Sequence, residues 1–249
     1  HMTPTPSEPE TYPDIEPAQN PWSAKATAGF GLLTLIVFFA VQVGSVIVIS
    51  TTFDFFDPQT DSGLTLAVAA TSSGILCSAF VLLLLYLRNT PSIKQHLALT
   101  PVTVKTMIGW IVLAGLLVMI GDQVTTSLGR PVVPDVIVEA YRTAYIIPLF
   151  WFAVVIGAPL FEEIFFRGFL FEGFSRSRLG VPGTVLLTTL IWTIIHIQYD
   201  AYELSLVFAL GIFLAIARVR TRSLYVPFTL HAIMNLIATI QTMMVVDAS

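Results

Sequence analysis

Apolar residues fall along this chain in long unbroken blocks, not in the alternation expected of half-buried strands. The blocks are Ala28–Ser50, Leu64–Leu87, Val104–Ile120, Tyr145–Phe174, Val181–Ile197, Leu204–Ala217 and Leu224–Val246, separated by short polar joins. A helix needs about 20 apolar residues to cross the ~30 Å hydrocarbon core of a bilayer. The sixth block is short of that length, and Tyr145–Phe174 is long enough to kink or to project. Pro58, Pro91, Pro101, Pro131, Pro134 and the step Gly180-Val181-Pro182 punctuate the joins. The pattern predicts an all-α fold: a polytopic membrane helical bundle of about seven transmembrane helices. An eighth element is allowed if part of Pro131–Ala144 is re-entrant. No internal repeat and no pair of inverted halves is visible.

Composition narrows this further. Of the 249 residues, 55% are hydrophobic and 11% charged, where a soluble domain carries about 25% charged residues. No nucleic-acid partner is expected. His1-Met2 reads as a tag remnant. Thr3–Pro21 is polar and proline-rich, with Glu8, Glu10, Asp14 and Glu16. Residues 1–24 are therefore expected to form a disordered cytoplasmic tail, without a cleavable signal peptide. Residues 25–249 are expected to form a single transmembrane domain. Cys77, the lone cysteine, lies in an apolar run and reads as a small core residue.

Orientation follows from the basic residues. Threading seven spans puts Lys25, Arg88, Lys94, Lys105, Arg176, Arg178, Arg218, Arg220 and Arg222 on one side, against Arg130 and Arg142 on the other. Asp54, Asp57, Asp61, Asp122, Asp135, Glu139, Asp200, Glu203 and Asp247 collect on the side opposite the basic group. The expectation is a cytoplasmic N-terminus and an outside C-terminus, in a prokaryotic plasma membrane.

One cluster breaks the apolar pattern: Pro159-Leu160-Phe161-Glu162-Glu163-Ile164-Phe165-Phe166-Arg167. A charge at mid-bilayer costs roughly 2.5–3.5 kcal/mol, so three in six residues require compensation or water. Glu163 and Arg167 are four apart and can pair on one helix face. Glu162 is turned about 100° away and is left for other work. Pro159 has no amide to donate, so a kink is expected just before the glutamates. Of the histidines, His96 lies in the loop Arg88–Lys105 and reads as solvated. His196 closes one apolar run, and His231 stands in another, four residues before Asn235 on the same face.

These groups suit hydrolysis of a peptide bond. A carboxylate in a poorly solvated site can act as a general base near neutrality, and a neutral imidazole can share the activated water. A second imidazole and an amide can donate to the oxyanion of a tetrahedral intermediate. No nucleophilic side chain is needed. Alternatively Glu162, His196 and His231 could hold a divalent metal such as zinc, which would lower the pKa of a bound water to about 7. The chain has no His-Glu-x-x-His and no Gly-x-Ser-x-Gly, and no Asp falls within a predicted span.

Glu162-Glu163-x-x-x-Arg167, Trp192-x-x-x-His196, Phe208-x-x-Gly211-x-x-x-Ala215 and His231-x-x-x-Asn235 resemble, in order, the four motifs of the CPBP family. These are the CAAX proteases and bacteriocin-processing enzymes, also called Abi. Trp192 stands where the family's second motif has phenylalanine, which keeps an aromatic wall beside the histidine. The resemblance covers about Pro159–Asn235 and implies a catalytic core at about 145–246. It implies an intramembrane endopeptidase of the glutamate type acting on a membrane-associated protein or peptide. It also implies Glu162 as general base with His196 as its partner, His231 and Asn235 as the oxyanion hole, and Glu163 and Arg167 as supporting residues. No cofactor is favoured, although family members have also been named metalloproteases. Phe208, Gly211 and Ala215 read as helix packing. Two other classes compete: a non-proteolytic scaffold or bacteriocin-immunity protein, and a proton-coupled carrier.

Overall fold

The computed structural model describes residues 21–54, 56–58 and 60–248. The expected disordered tail lies, as far as residue 20, outside the described residues. The chain folds as a polytopic helical bundle: α1 (Ala24–Thr52), α2 (Ser62–Leu87), α3 (Ile93–His96), α4 (Val104–Ser127), α5 (Asp135–Arg142), α6 (Ile147–Ser175), α7 (Gly180–Ile194), α8 (Ala201–Thr221) and α9 (Tyr225–Asp247). Among the described residues, six helices are long and apolar enough to cross a membrane, namely α1, α2, α4, α6, α8 and α9.

The short span is α7, not α8. At 15 residues it is about 22 Å long, less than the hydrocarbon core. Its end is set by His196, whose Nδ1–H donates to the Trp192 carbonyl at 2.7 Å. That carbonyl would otherwise take the His196 backbone amide in the next helical bond. α8 instead runs to 21 residues. Asp200 and Glu203 close a reciprocal capping box at its start, and at its other end Arg218 is buried inside the bundle instead of lying in a loop. The segment considered for an eighth element is α5, an eight-residue helix of about 12 Å, too short to cross. α4 ends at Ser127, further than its apolar block, so Asp122 does lie within a long helix. It accepts a hydrogen bond from Gln241 Nε2 at 2.7 Å.

α6 is the axis of the bundle. α2 and α9 pack along it, α1 covers its later half, and α7 and α8 pair beside it. α4 is peripheral, with only Ala114 and Thr125 buried. The connections gather into two end groups. At one end, Trp22 Nε1–H donates to Thr90 Oγ1 at 2.8 Å, Arg88 donates to the Pro21 carbonyl at 2.6 Å, and Leu224 N–H to the Ala98 carbonyl at 2.8 Å. At the other, Tyr145 donates to Asp61 at 3.0 Å, Arg130 pairs with Asp200, and Thr125 bonds Tyr202 at 2.7 Å. The basic and acidic connections separate as their sequence positions predict.

Two residues near the basic end depart from expectation. Trp22, assigned to the tail, is buried: Arg88 lies 4.9 Å over its ring, and Phe169 packs on it at 4.8 Å between centroids. His96, expected in solvent, is 5% exposed and lies near the rings of Trp22 and Phe169. The reason is the neighbouring Leu97, which seats on Gly168 of α6, where a Cβ would stand 2.8 Å from the leucine Cδ2. Burial, and then the positive charge of Arg176, push the His96 imidazole down to about 4.

Candidate active site

The site is organised by what Pro159 does to α6. On either side of the expected kink the helix widens into two π-helical stretches, Ala153–Gly157 and Glu163–Leu170, a distortion frequent at functional sites. In the first stretch the Ala158 amide donates to the Ala153 carbonyl, five residues back. The next bond in that register would require an amide hydrogen on Pro159, which has none. The released Val154 carbonyl is taken by Asn235 Nδ2–H at 2.8 Å. Gly74 of α2 crosses here so closely that a Cβ would stand 2.3 Å from the Gly157 carbonyl oxygen.

The second π stretch carries the charges. Glu163 Oε1 accepts from Arg167 Nη1 and from His231 Nδ1, each at 2.9 Å. Arg167 also donates to the Gly211 carbonyl at 3.3 Å, lies 4.5 Å over the Trp192 ring, and has its own carbonyl capped by Arg218 Nε at 3.1 Å. Glu163, Arg167 and His231 are at most 3% exposed. The pairing of Glu163 with Arg167 is the one their spacing allows, and His231 is a third member that spacing does not reveal.

Glu162 is not the unpaired carboxylate that spacing leaves over. Its Oε2 accepts a 2.5 Å hydrogen bond from Trp192 Nε1 and lies 3.9 Å from His231 Nε2. It is the more accessible of the two glutamates, with 13% of its side chain exposed against 1% for Glu163. His196 sits just past the end of α7, edge-on to the Trp192 ring at 4.9 Å and stacked with Tyr199 at 6.1 Å. Among the described residues no hydrogen bond joins His196 to Glu162; Trp192 touches both.

The hydrogen bonds define how the two imidazoles face. A carbonyl only accepts, so His196 Nδ1 carries a proton and, in the neutral ring, Nε2 keeps its lone pair. The Glu163 carboxylate likewise accepts from His231 Nδ1, turning His231 Nε2 towards Glu162. Tyr199 also lines a cavity of about 160 Å³ with Arg130, Pro131, Tyr202, Leu206 and Val207 at the acidic end of the bundle. Burial, with the negative charge of Glu203 adding to it, pushes the Tyr199 hydroxyl up to about 12.

The structure thus joins Glu163, Arg167 and His231 directly, sets Glu162 against them, anchors Asn235 to the adjoining backbone, and reaches His196 through Trp192. Gly211 and Ala215 are buried in helix packing and Phe208 is half-buried. Sequence reasoning misses Arg218 and the Val154 carbonyl. The π register that frees that carbonyl has no sequence signature beyond Pro159. It also reads Trp192 only as an aromatic wall, although the exchange of phenylalanine for a ring with an N–H was in view. Among the described residues no group of three or more His, Cys, Asp or Glu side chains is placed to hold a metal ion.

Residues 144–237, which contain every one of these groups, match the family model described as Rce1-like, type II CAAX prenyl endopeptidase. The chain is 30% identical over 145 residues to the membrane-embedded CAAX protease MroQ of Staphylococcus aureus (strain USA300), a match covering 53% of this chain and 56% of that protein. The chain therefore spans a little over half the length of the curated relative it matches. No solved structure matches. Both matches bear out the CPBP resemblance carried by the four motifs.

Proposed function

We propose that this chain is an intramembrane endopeptidase that hydrolyses a peptide bond of a membrane-embedded or membrane-associated protein or peptide. The carrying observation is the asymmetry of the two glutamates. Glu163 is sealed among Arg167 and His231, whereas Glu162 keeps partial access and lies 3.9 Å from His231 Nε2. Glu162 takes a proton from water as the water attacks the substrate carbonyl, and later delivers it to the leaving amine. His196, with Nε2 open, shares that water. His231 in its doubly protonated form donates Nε2–H to the oxyanion, joined by the amide hydrogen of Asn235 that Val154 does not use. Glu163 and Arg167 hold the His231 ring. No step passes through a metal. The basic end faces the cytoplasm of a prokaryotic plasma membrane, and the C-terminus lies outside.

The test uses the purified protein in lipid nanodiscs and a quenched-fluorescent peptide ending in a farnesylated Cys-aliphatic-aliphatic-X sequence, with an unprenylated copy beside it. Cleavage is expected from the wild type, insensitive to chelator, and lost in Glu162→Ala, His196→Ala and His231→Ala. Asn235→Ala is expected to cost about 10²–10³-fold in rate, as for loss of an oxyanion donor. Glu162→Ala cutting as fast as wild type would sink the assignment. Substrates trapped by Glu162→Ala and identified by mass spectrometry define the physiological range.

A further inference from the structure

The indole of Trp192 offers the Glu162 carboxylate a donor that phenylalanine, the residue of the family's second motif, could not. We infer that Trp192 is the positioning residue for Glu162, and through its backbone for His196; the inference rests on the protease reading above. Trp192 Nε1–H donates to Glu162 Oε2 at 2.5 Å, and the Trp192 carbonyl accepts from His196 Nδ1 at 2.7 Å. One residue therefore fixes both groups that handle the water.

A positioning group must itself be immobile, and Trp192 is. It is 1% exposed. Arg167 covers one face of the ring at 4.5 Å, and His231 meets it edge-on at 5.5 Å. Gly211 presses on the ring so closely that a Cβ there would stand 2.9 Å from Trp192 Cε3. The close approach that a small residue permits at Gly211 thus has a local purpose. The glutamate side chain, by contrast, has several rotors to lose. A charge-assisted hydrogen bond from a fixed donor holds it in one orientation.

The test is Trp192→Phe, which keeps an aromatic ring and removes the N–H, assayed in nanodiscs with the farnesylated peptide. The expected result is a kcat lower by roughly 10–100-fold, the worth of a hydrogen bond to a charged group. KM stays within about twofold. A purely structural role would lower Tm and leave the kcat of the folded protein in place. A second measurement needs no catalysis: a double-mutant cycle of Tm in detergent over Trp192→Phe and Glu162→Leu, in which the two losses are expected not to add. Additive losses would overturn the contact. A Trp192→Phe protein matching wild type in kcat, beside an inactive Glu162→Ala, would overturn the positioning role and leave the protease reading standing. No cleavage by the wild type would overturn the protease reading and, with it, the catalytic meaning of the contact, even if the Tm losses failed to add.

Discussion

α6 carries two Glu–Arg pairs of identical spacing nine residues apart, Glu163–Arg167 and Glu172–Arg176, each with the glutamate N-terminal to its arginine. In sequence they obey one rule. In the structure they are different objects. The first pair is 1% exposed on both sides, whereas Arg176 is 65% exposed and Glu172 15%. An exposed pair competes with water for each of its hydrogen bonds and contributes little. A buried pair has lost that water, so its value shows mainly when one partner is removed. The inner pair has also acquired His231, the Gly211 carbonyl and the Trp192 face as further partners. The outer pair stays at the helix end, with Arg176 largely in solvent. Spacing governs whether charges can meet; burial governs what the meeting is for.

The sharpest way to break this contrast is Arg167→Ala. Glu163 would remain buried without its cation, and about 3–5 kcal/mol of stability should be lost, read from thermal or denaturant unfolding in detergent. A loss below about 1 kcal/mol would mean that the inner pair behaves like a surface pair.

His96 extends the comparison to a buried group held without an ionic partner. Its imidazole titrates near 4 in the folded protein and near 6.5 when free. Between those values the unfolded chain binds a proton that the folded chain refuses. Stability should therefore be full above pH 6.5 and decline as the pH falls toward 4, by on the order of 3 kcal/mol across the window. Tm measured from pH 7.5 to 5 checks the slope, and His96→Phe should flatten it.

A neutral contact comes next. Asn235→Leu leaves the half-buried Val154 carbonyl without its partner, an expected cost of about 1–3 kcal/mol. Pro159→Ala supplies an amide hydrogen in the same π register, so the Asn235→Leu loss should shrink in that background. Equal losses in both backgrounds would detach Asn235 from Pro159. The smallest effect belongs to the outer pair: Arg176→Ala should change stability by no more than about 1 kcal/mol, less at high salt.

Much of this molecule was legible before folding. Long apolar blocks require helices wherever lipid cannot satisfy a backbone, so the bundle and most helix centres follow from hydrophobicity alone. Four motif pairs at helical spacing marked Glu162, Glu163, Arg167, His196, His231 and Asn235. Helix ends were less legible, because they depend on side-chain hydrogen bonds: the Asp200–Glu203 box lengthened α8, and His196 shortened α7. Proline predicted a disturbance in α6 but not its form, since a kink and a π turn both relieve the ring.

Only the tertiary structure decided who partners whom. Residues 68 positions apart, His231 and Glu163, share a proton donor and acceptor; Trp192 and Glu162, 30 apart, do the same. No local period encodes such contacts. They arise when α7, α8 and α9 close around α6 and remove the water that would otherwise have satisfied each polar group separately. Sequence determined that this chain buries charge in a membrane bundle. Packing determined that Glu163 is consumed in holding the site together and that Glu162 is held, within reach, by a tryptophan.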